Sequence, residues 1–478
     1  MYRAEKTTQL TFEGFDQSCG MKLKGDDEWV RLAGAIPWDA VEEAYGRLFK
    51  SGRGRPAVPA RIALGALVIQ RRMNLGDRNL VKEVARNPYL QYFLGLGEFQ
   101  PGCPFGHGVL PELRKRIGAD FVNAVNELVL EGAGPTPEHA GEAAPGPSAG
   151  GCLGTMILDA TCSPSNIRYP QDSSLLNEAR GKLDAMIDAL HAMAGESDGR
   201  RPRTYRRVLR KAHLAFAKSR RRTAEDARAA VRLMLGAVRR NLAFVDGYIA
   251  RGFAPDAKGM ALLGTIRALY AQQLGMHRGG AHRVPGRIVS VSQPFVRPVV
   301  RGKDRAPVEF GAKFDVSVDE RGHARLERAS FEPYNECTVL ADALERYRAR
   351  TGRYPARVLA DRAYRTEVNR RYCEERGVRL SGRRRGRPPA DPAKRRELRA
   401  DDVDRIEVER FFSRGKRCCG AGLVVAKLPE TALGSIALSV LVANLFGAVL
   451  PSFFVFYVAD SRDGAAGFHL LEFSDDAG

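Results

Sequence analysis

The sequence predicts an α/β protein with an all-helical region in front of it. Three observations point there. Residues 37–130 carry apolar side chains at helical spacing. A Gly/Pro/Ala-rich stretch follows at 132–151. From 152 onward, short apolar strands alternate with helices.

The helical region opens with AVEEAYGRLFK behind Pro37-Trp38-Asp39, with Asp39 as a candidate N-cap. RIALGALVIQRRMNL comes next, then a helix starting at Asp77, then PYLQYFLGL. LPELRKRIGADFVNAVNELVLEG reads as one last helix. The α/β part starts with the strand GTMILDAT. A helical block at 174–275 then interrupts the sheet, and within it residues 200–222 hold eleven Lys/Arg and no acid. Strand-like segments return at 287–300 and from 308, with a turn at Asp319-Glu320-Arg321-Gly322. TVLADALERYRARTG reads as a helix, ARVLADRAY as a strand, TEVNRRYCEERG as a helix and VRLSG as a strand. A basic loop and a helix around DDVDRIEVERFFSRGKR complete the core. The expected organisation is a helical N-terminal domain at 1–131, whose basic helix faces suit DNA binding though an ordinary helical bundle fits the pattern too, a linker at 132–151, an α/β domain at 152–460 and a tail at 461–478.

Composition narrows the function classes. The chain has 478 residues, too many for one ordinary core. Apolar residues make up 44%, which excludes general disorder. A formal charge of +20 and a pI near 9.8 favour a polyanionic partner, nucleic acid first, over a basic enzyme with no such partner. Eight cysteines form no CxxC pair, which speaks against zinc fingers and a disulfide framework and for reduced thiols in a cytoplasm. The N-terminus lacks the apolar core of a signal peptide. Residues 433–458 carry no charged side chain over a length that could span a bilayer. Ser439, Asn444 and Pro451 interrupt that stretch, so it reads as a buried helix and no membrane is expected.

Two aspartates stand where chemistry gathers in an α/β sheet. Asp159 follows the apolar run MIL and Asp361 follows VLA. Either alone is as well explained as a turn residue or helix cap. Together they would repel, and hard divalent cations such as Mg²⁺ or Mn²⁺ relieve that repulsion. In DRIEVERFFSRGKR, Arg405, Glu409 and Lys416 share one helix face, beside the apolar Val408 and Phe412. A solvated Arg405–Glu409 pair explains the spacing equally well. Glu407 lies about 200° away round the helix, and Asp172 reads as structural.

These residues resemble the DDE transposases of bacterial insertion sequences, in particular those with an InsH-like helical N-terminal domain. The family's first acid sits in Asp-Ala-Thr, matched by Asp159-Ala160-Thr161. Its second sits in Asp-x-Gly/Ala-Tyr, matched by Asp361-Arg362-Ala363-Tyr364. Its glutamate sits in a signature of Tyr, two residues, Arg, three residues, Glu, six residues, Lys. Arg405, Glu409 and Lys416 fit the last three positions, and Asp402 stands at the first. GRPAVPARIALGALVIQRRMNLGDRNLVKEVARNPYLQYFLGL, VSQPFVRPVVRGK and PVEFGAKF extend the likeness over residues 10–445.

The resemblance implies an RNase H-like catalytic core with the 174–275 block as an insertion. It implies that Asp159, Asp361 and Glu409 are the catalytic acids and the ligands of two Mg²⁺ or Mn²⁺ ions. It also implies cleavage at terminal inverted repeats, joining to target DNA, and a homodimer on double-stranded DNA. Arg405 and Lys416 are then the expected phosphate contacts at the site. Arg203, Arg206, Arg207, Arg210 and Lys211 in the insertion, with Arg383, Arg384 and Arg385 in the basic loop, are the expected wider DNA contacts. An inactive DNA-binding derivative, or a structure-specific endonuclease on the same fold, would share these features.

Overall fold

The structure is a computed structural model that describes residues 13–15, 22–49, 56–132, 152–195, 199–281, 283–300, 308–382 and 391–449. Among the described residues seven α-helices come first: α1 (Glu28–Ala35), α2 (Trp38–Gly46), α3 (Ala60–Arg72), α4 (Asp77–Arg86), α5 (Pro88–Phe93), α6 (Leu110–Arg116) and α7 (Ala119–Gly132). Asp27 and Asn87 cap α1 and α5 by accepting backbone N–H bonds. Two details differ from the sequence reading. Pro37, not Asp39, precedes the first turn of α2, which leaves Asp39 inside that turn. The single helix read over 110–132 is two, because Ile117 at φ −83°, ψ 79° leaves helical geometry and Gly118 follows it.

Strand β1 (Thr155–Pro164) leads into four long helices, α8 (Asp172–Ala194), α9 (Arg206–Lys218), α10 (Ala224–Ala250) and α11 (Ala257–Gly279). They bury an apolar core of their own, built on Leu176, Leu183, Val238 and Ile266. Asp172, the first residue of α8, accepts from Gln273 and Arg287 at 2.9 and 2.7 Å. It thus ties the bundle's entry to its exit, a structural role.

The chain then lays down β2 (Arg297–Val300), β3 (Val308–Asp319), β4 (Ala324–Ser330), α12 (Leu340–Thr351), β5 (Arg357–Ala360), α13 (Glu367–Glu374), β6 (Arg379–Ser381), α14 (Pro392–Asp404), α15 (Ile406–Cys418) and α16 (Pro429–Val449). Only 297–300 of the apolar stretch 287–300 pairs as strand. The sheet runs β2-β3-β1-β5-β6, and β4 also pairs with β3. β3 is antiparallel to β1, whereas β5 and β6 run parallel to it. The β3–β4 turn closes at Gly322, whose φ of 75° suits glycine and whose N–H meets the Asp319 carbonyl.

Alternation along β1 sorts the two faces of the sheet. Met156 and Leu158 point into a small core with Leu344 and Tyr347 of α12. Ile157 points into the main core, which continues through Val408 and Phe411 of α15, through α16, and on to Leu67 of α3 and Val125 of α7. The helical region and the sheet therefore share one apolar core. Within it, the Asn444 amide of α16 meets Asn126 of α7 at 2.7 Å and both backbone groups of Ala324 in β4, at 2.7 and 3.0 Å. The most apolar stretch of α16 could cross a membrane by length and composition, but it is 83% buried inside the protein. Pro451 and the tail lie outside the described residues.

Candidate active site

Asp159 and Asp361 meet where a parallel strand pair comes apart. The last β1–β5 pair is Leu158 with Ala360, and each aspartate is the next residue. β5 ends there. β1 does not: Asp159 lies inside it, because β3 stays paired to β1 as far as Pro164–Gly311. Asp159 thus has β-ladder support on one side and an open edge on the other. Asp361 caps a single-turn 3-10 helix, Arg362–Tyr364, and accepts the Arg362 N–H at 2.6 Å. Gly382, just past β6, takes φ +138° with its α-carbon against the Ala360 carbonyl, where a β-carbon would come within 2.8 Å. A larger residue there would push on the strand end that carries Asp361.

Asp159 shares the face of Ile157, where α15 packs. Arg405 stands at the junction of α14 and α15 and reaches both acids of that face. Its guanidinium donates to Asp159 at 3.2 Å and to Glu409 at 2.9 Å. The helix read around Glu409 is therefore broken at Arg405 into two pieces. α14 is anchored by buried Asp401, which accepts from Arg379 at 2.7 and 2.8 Å, from Arg357 at 3.1 Å and from Ser381. Burial alone would raise the Asp401 carboxyl, but those donors hold it below its ordinary range.

The electrostatics mark the same spot. Burial pushes Asp159 up to about 6; the Ala160 N–H and Arg405 oppose this, and the nearby charges of Asp361 and Glu336 add to it. Glu336 is a carboxylate that sequence reasoning missed. It lies in the 3-10 turn Glu336–Val339 and pairs with Lys313 at 2.6 Å. No local motif signals it, because its position depends on the β3–β4 hairpin folding back.

The donor set suits a hard divalent cation, being all carboxylate oxygen. Among the described residues no three such groups are gathered closely enough to hold a metal ion. Arg405 nevertheless shows that Asp159 and Glu409 face a common point where positive charge is held. The residues thus fit the metal in kind, with a guanidinium at that point.

The other expected contacts fall in different places. Lys416 lies on α15, two turns beyond Glu409, and is half-buried. Arg203, Arg207, Arg210 and Lys211 are exposed on the insertion. Arg206 is not presented in the same way, since it pairs with both oxygens of Asp188 at 2.8 Å. Arg383, Arg384 and Arg385 lie outside the described residues.

Comparison with known proteins adds an independent line. A family model described as a transposase DDE domain matches residues 358–446, which include Asp361 and Glu409. A second, described as a transposase domain (DUF772), matches residues 17–116 in the helical region. A protein of Rhizobium meliloti, described as uncharacterized protein ORF8 in the nfe locus, is 33% identical over 150 residues, 31% of this chain and 68% of the relative. No solved structure is a significant match.

Proposed function

The chain belongs to the DDE transposase family, and on that premise we propose that it cuts the ends of an insertion sequence and joins them to target DNA, with Asp159, Asp361 and Glu409 as its catalytic acids. One observation carries the assignment: Asp159 and Asp361 leave adjacent parallel strands at the same level while Arg405 links Asp159 to Glu409. The strand order supports reading the core as RNase H-like, with an antiparallel partner on one side of β1 and two parallel strands on the other. On this reading residues 1–131 bind the DNA ends, 152–460 form the catalytic domain with its insertion, and the protein works as a homodimer on DNA in a bacterial cytoplasm.

Asp159, Asp361 and Glu409 would hold two Mg²⁺ or Mn²⁺ ions, which when bound supply charge neutralisation at the phosphodiester and activation of the attacking oxygen. The remaining work falls to the chain. The open edge beyond Leu158–Ala360 leaves both aspartates reachable by a DNA strand. Arg405 and Lys416 bracket Glu409 on nearly one helix face and would orient phosphates. No covalent protein–DNA intermediate is needed, so no serine or tyrosine nucleophile is assigned.

The test is cleavage of a duplex that carries the flanking inverted repeats, with Mg²⁺ or Mn²⁺, comparing wild type with Glu409→Gln. Metal-dependent cuts that leave a 3′-hydroxyl, absent from a variant that still binds, are expected. Equal cutting by both proteins would remove Glu409 from the site. Binding without cutting by both would favour a DNA-binding derivative.

A further inference from the structure

We propose that Asp315 is a positioning residue that sets the Asp361 turn from the far face of the sheet, acting through Tyr364; this rests on the reading of Asp361 as a site acid. Asp315 lies on β3 opposite Ala160, so it faces α12, away from Asp159 and α15. It is wholly buried. Among the described residues no ion pair reaches it. Its two oxygens instead accept from two phenols, Tyr364 at 2.6 Å and Tyr334.

Tyr364 is the last residue of the 3-10 turn that Asp361 caps, and its backbone N–H donates to the Asp361 carbonyl at 3.0 Å. The Asn369 amide holds the Tyr364 carbonyl at 2.8 Å and the Cys337 carbonyl at 2.8 Å. The ring is thus fixed at its hydroxyl by Asp315 and at its backbone by Asn369. Only Arg362 and Ala363 separate this anchor from Asp361. A buried carboxylate is a costly way to stabilise a sheet, and apolar residues would do it better. It does supply a directional acceptor, which a turn carrying a reactive acid requires. Tyr334 makes the same kind of bond to the other oxygen, and among the described residues no hydrogen bond joins it directly to the Asp361 turn, so it serves as an internal control.

The experiment uses the full chain bound to an inverted-repeat duplex and measures Mn²⁺ occupancy from the loss of the free-ion electron paramagnetic resonance signal. Tyr364→Phe is expected to raise the Mn²⁺ concentration at half-occupancy about tenfold, the usual effect of losing an outer support of a metal ligand. Asp315→Leu, which removes both acceptor oxygens, should copy it, and Tyr334→Phe should leave the midpoint in place. DNA affinity should not change in any of the three. Equal shifts in Tyr364→Phe and Tyr334→Phe, or no shift in Tyr364→Phe, overturn the proposal. Asp361→Asn is measured in parallel: if it leaves Mn²⁺ binding intact, the reading of Asp361 itself fails, whatever Tyr364 does.

Discussion

At the scale of single residues, Asp159 and Glu409 both accept from one guanidinium, that of Arg405. An acid after a short apolar strand is a local pattern, and Asp159 and Asp361 both show it. Arg405 was legible as part of a helix face, but its bridge to Asp159 spans 246 residues of sequence and depends on how α15 packs on β1. Arg405 is a cation that Asp159 and Glu409 share. Arg405→Gln removes that competitor, so free protein is expected to bind Mn²⁺ more tightly than wild type in a titration; an unchanged midpoint would mean that the guanidinium does not occupy the metal's place. Asp315 offers a test by pH. Burial, opposed by Tyr334 and Tyr364, raises its carboxyl to about 6 in the folded protein, against roughly 3.9 in an unfolded chain. The native state therefore holds the proton more firmly, and stability from this group is full below the unfolded value and lost as pH climbs through about 6. The melting-temperature advantage of wild type over Asp315→Asn should shrink between pH 4.5 and 7. A constant gap would show that Asp315 does not titrate there.

At the scale of elements, helices with strong apolar periodicity were read correctly in kind and less well at their ends. The break between α14 and α15 was invisible because Arg405 stays in helical geometry, at φ −63°, ψ −22°. The split between α6 and α7 was missed for a related reason, since the apolar spacing continues across Ile117. Residues 433–458 posed the hardest question, because composition alone fits a membrane span as well as a core helix. Within the described part of α16, the Asn444 amide has three protein partners in the packed interior. Asn444→Ala strands the Asn126 Oδ1 and the Ala324 N–H, while the Ala324 carbonyl keeps the Asn126 Nδ2 at 3.1 Å, and should cost roughly 3 kcal/mol in denaturant unfolding. A loss below about 1 kcal/mol, within the range of one ordinary hydrogen bond, would mean that water replaces the amide.

At the scale of the molecule, charge is unevenly placed. Residues 199–281 hold 19 Lys/Arg and four Asp/Glu, a net +15 of the chain's +20. The sequence disclosed the basic run at 200–222 but not which of its members face outward. Arg207 and Lys211 lie about 40° apart on α9, with Arg210 close by, and all three are exposed. Replacing them with serine should reduce the slope of log affinity against log salt by about 2–3 if each meets one phosphate. An unchanged slope would place the DNA elsewhere.

The apolar core that runs from α3 and α7 through α16 to the sheet carries a further consequence. Although the chain passes from α7 to β1 through residues outside the described structure, α16 already bolts the two parts together. A protein built this way acts as a gauge. If the N-terminal helices hold the terminal repeat, the bond to be cut sits at a set number of base pairs from it. One extra base pair between repeat and cut site should then shift the cleavage position along the sequence by one, as the end of a ruler moves with its mark. Cleavage that stays at the original nucleotide would mean that the two parts slide past each other.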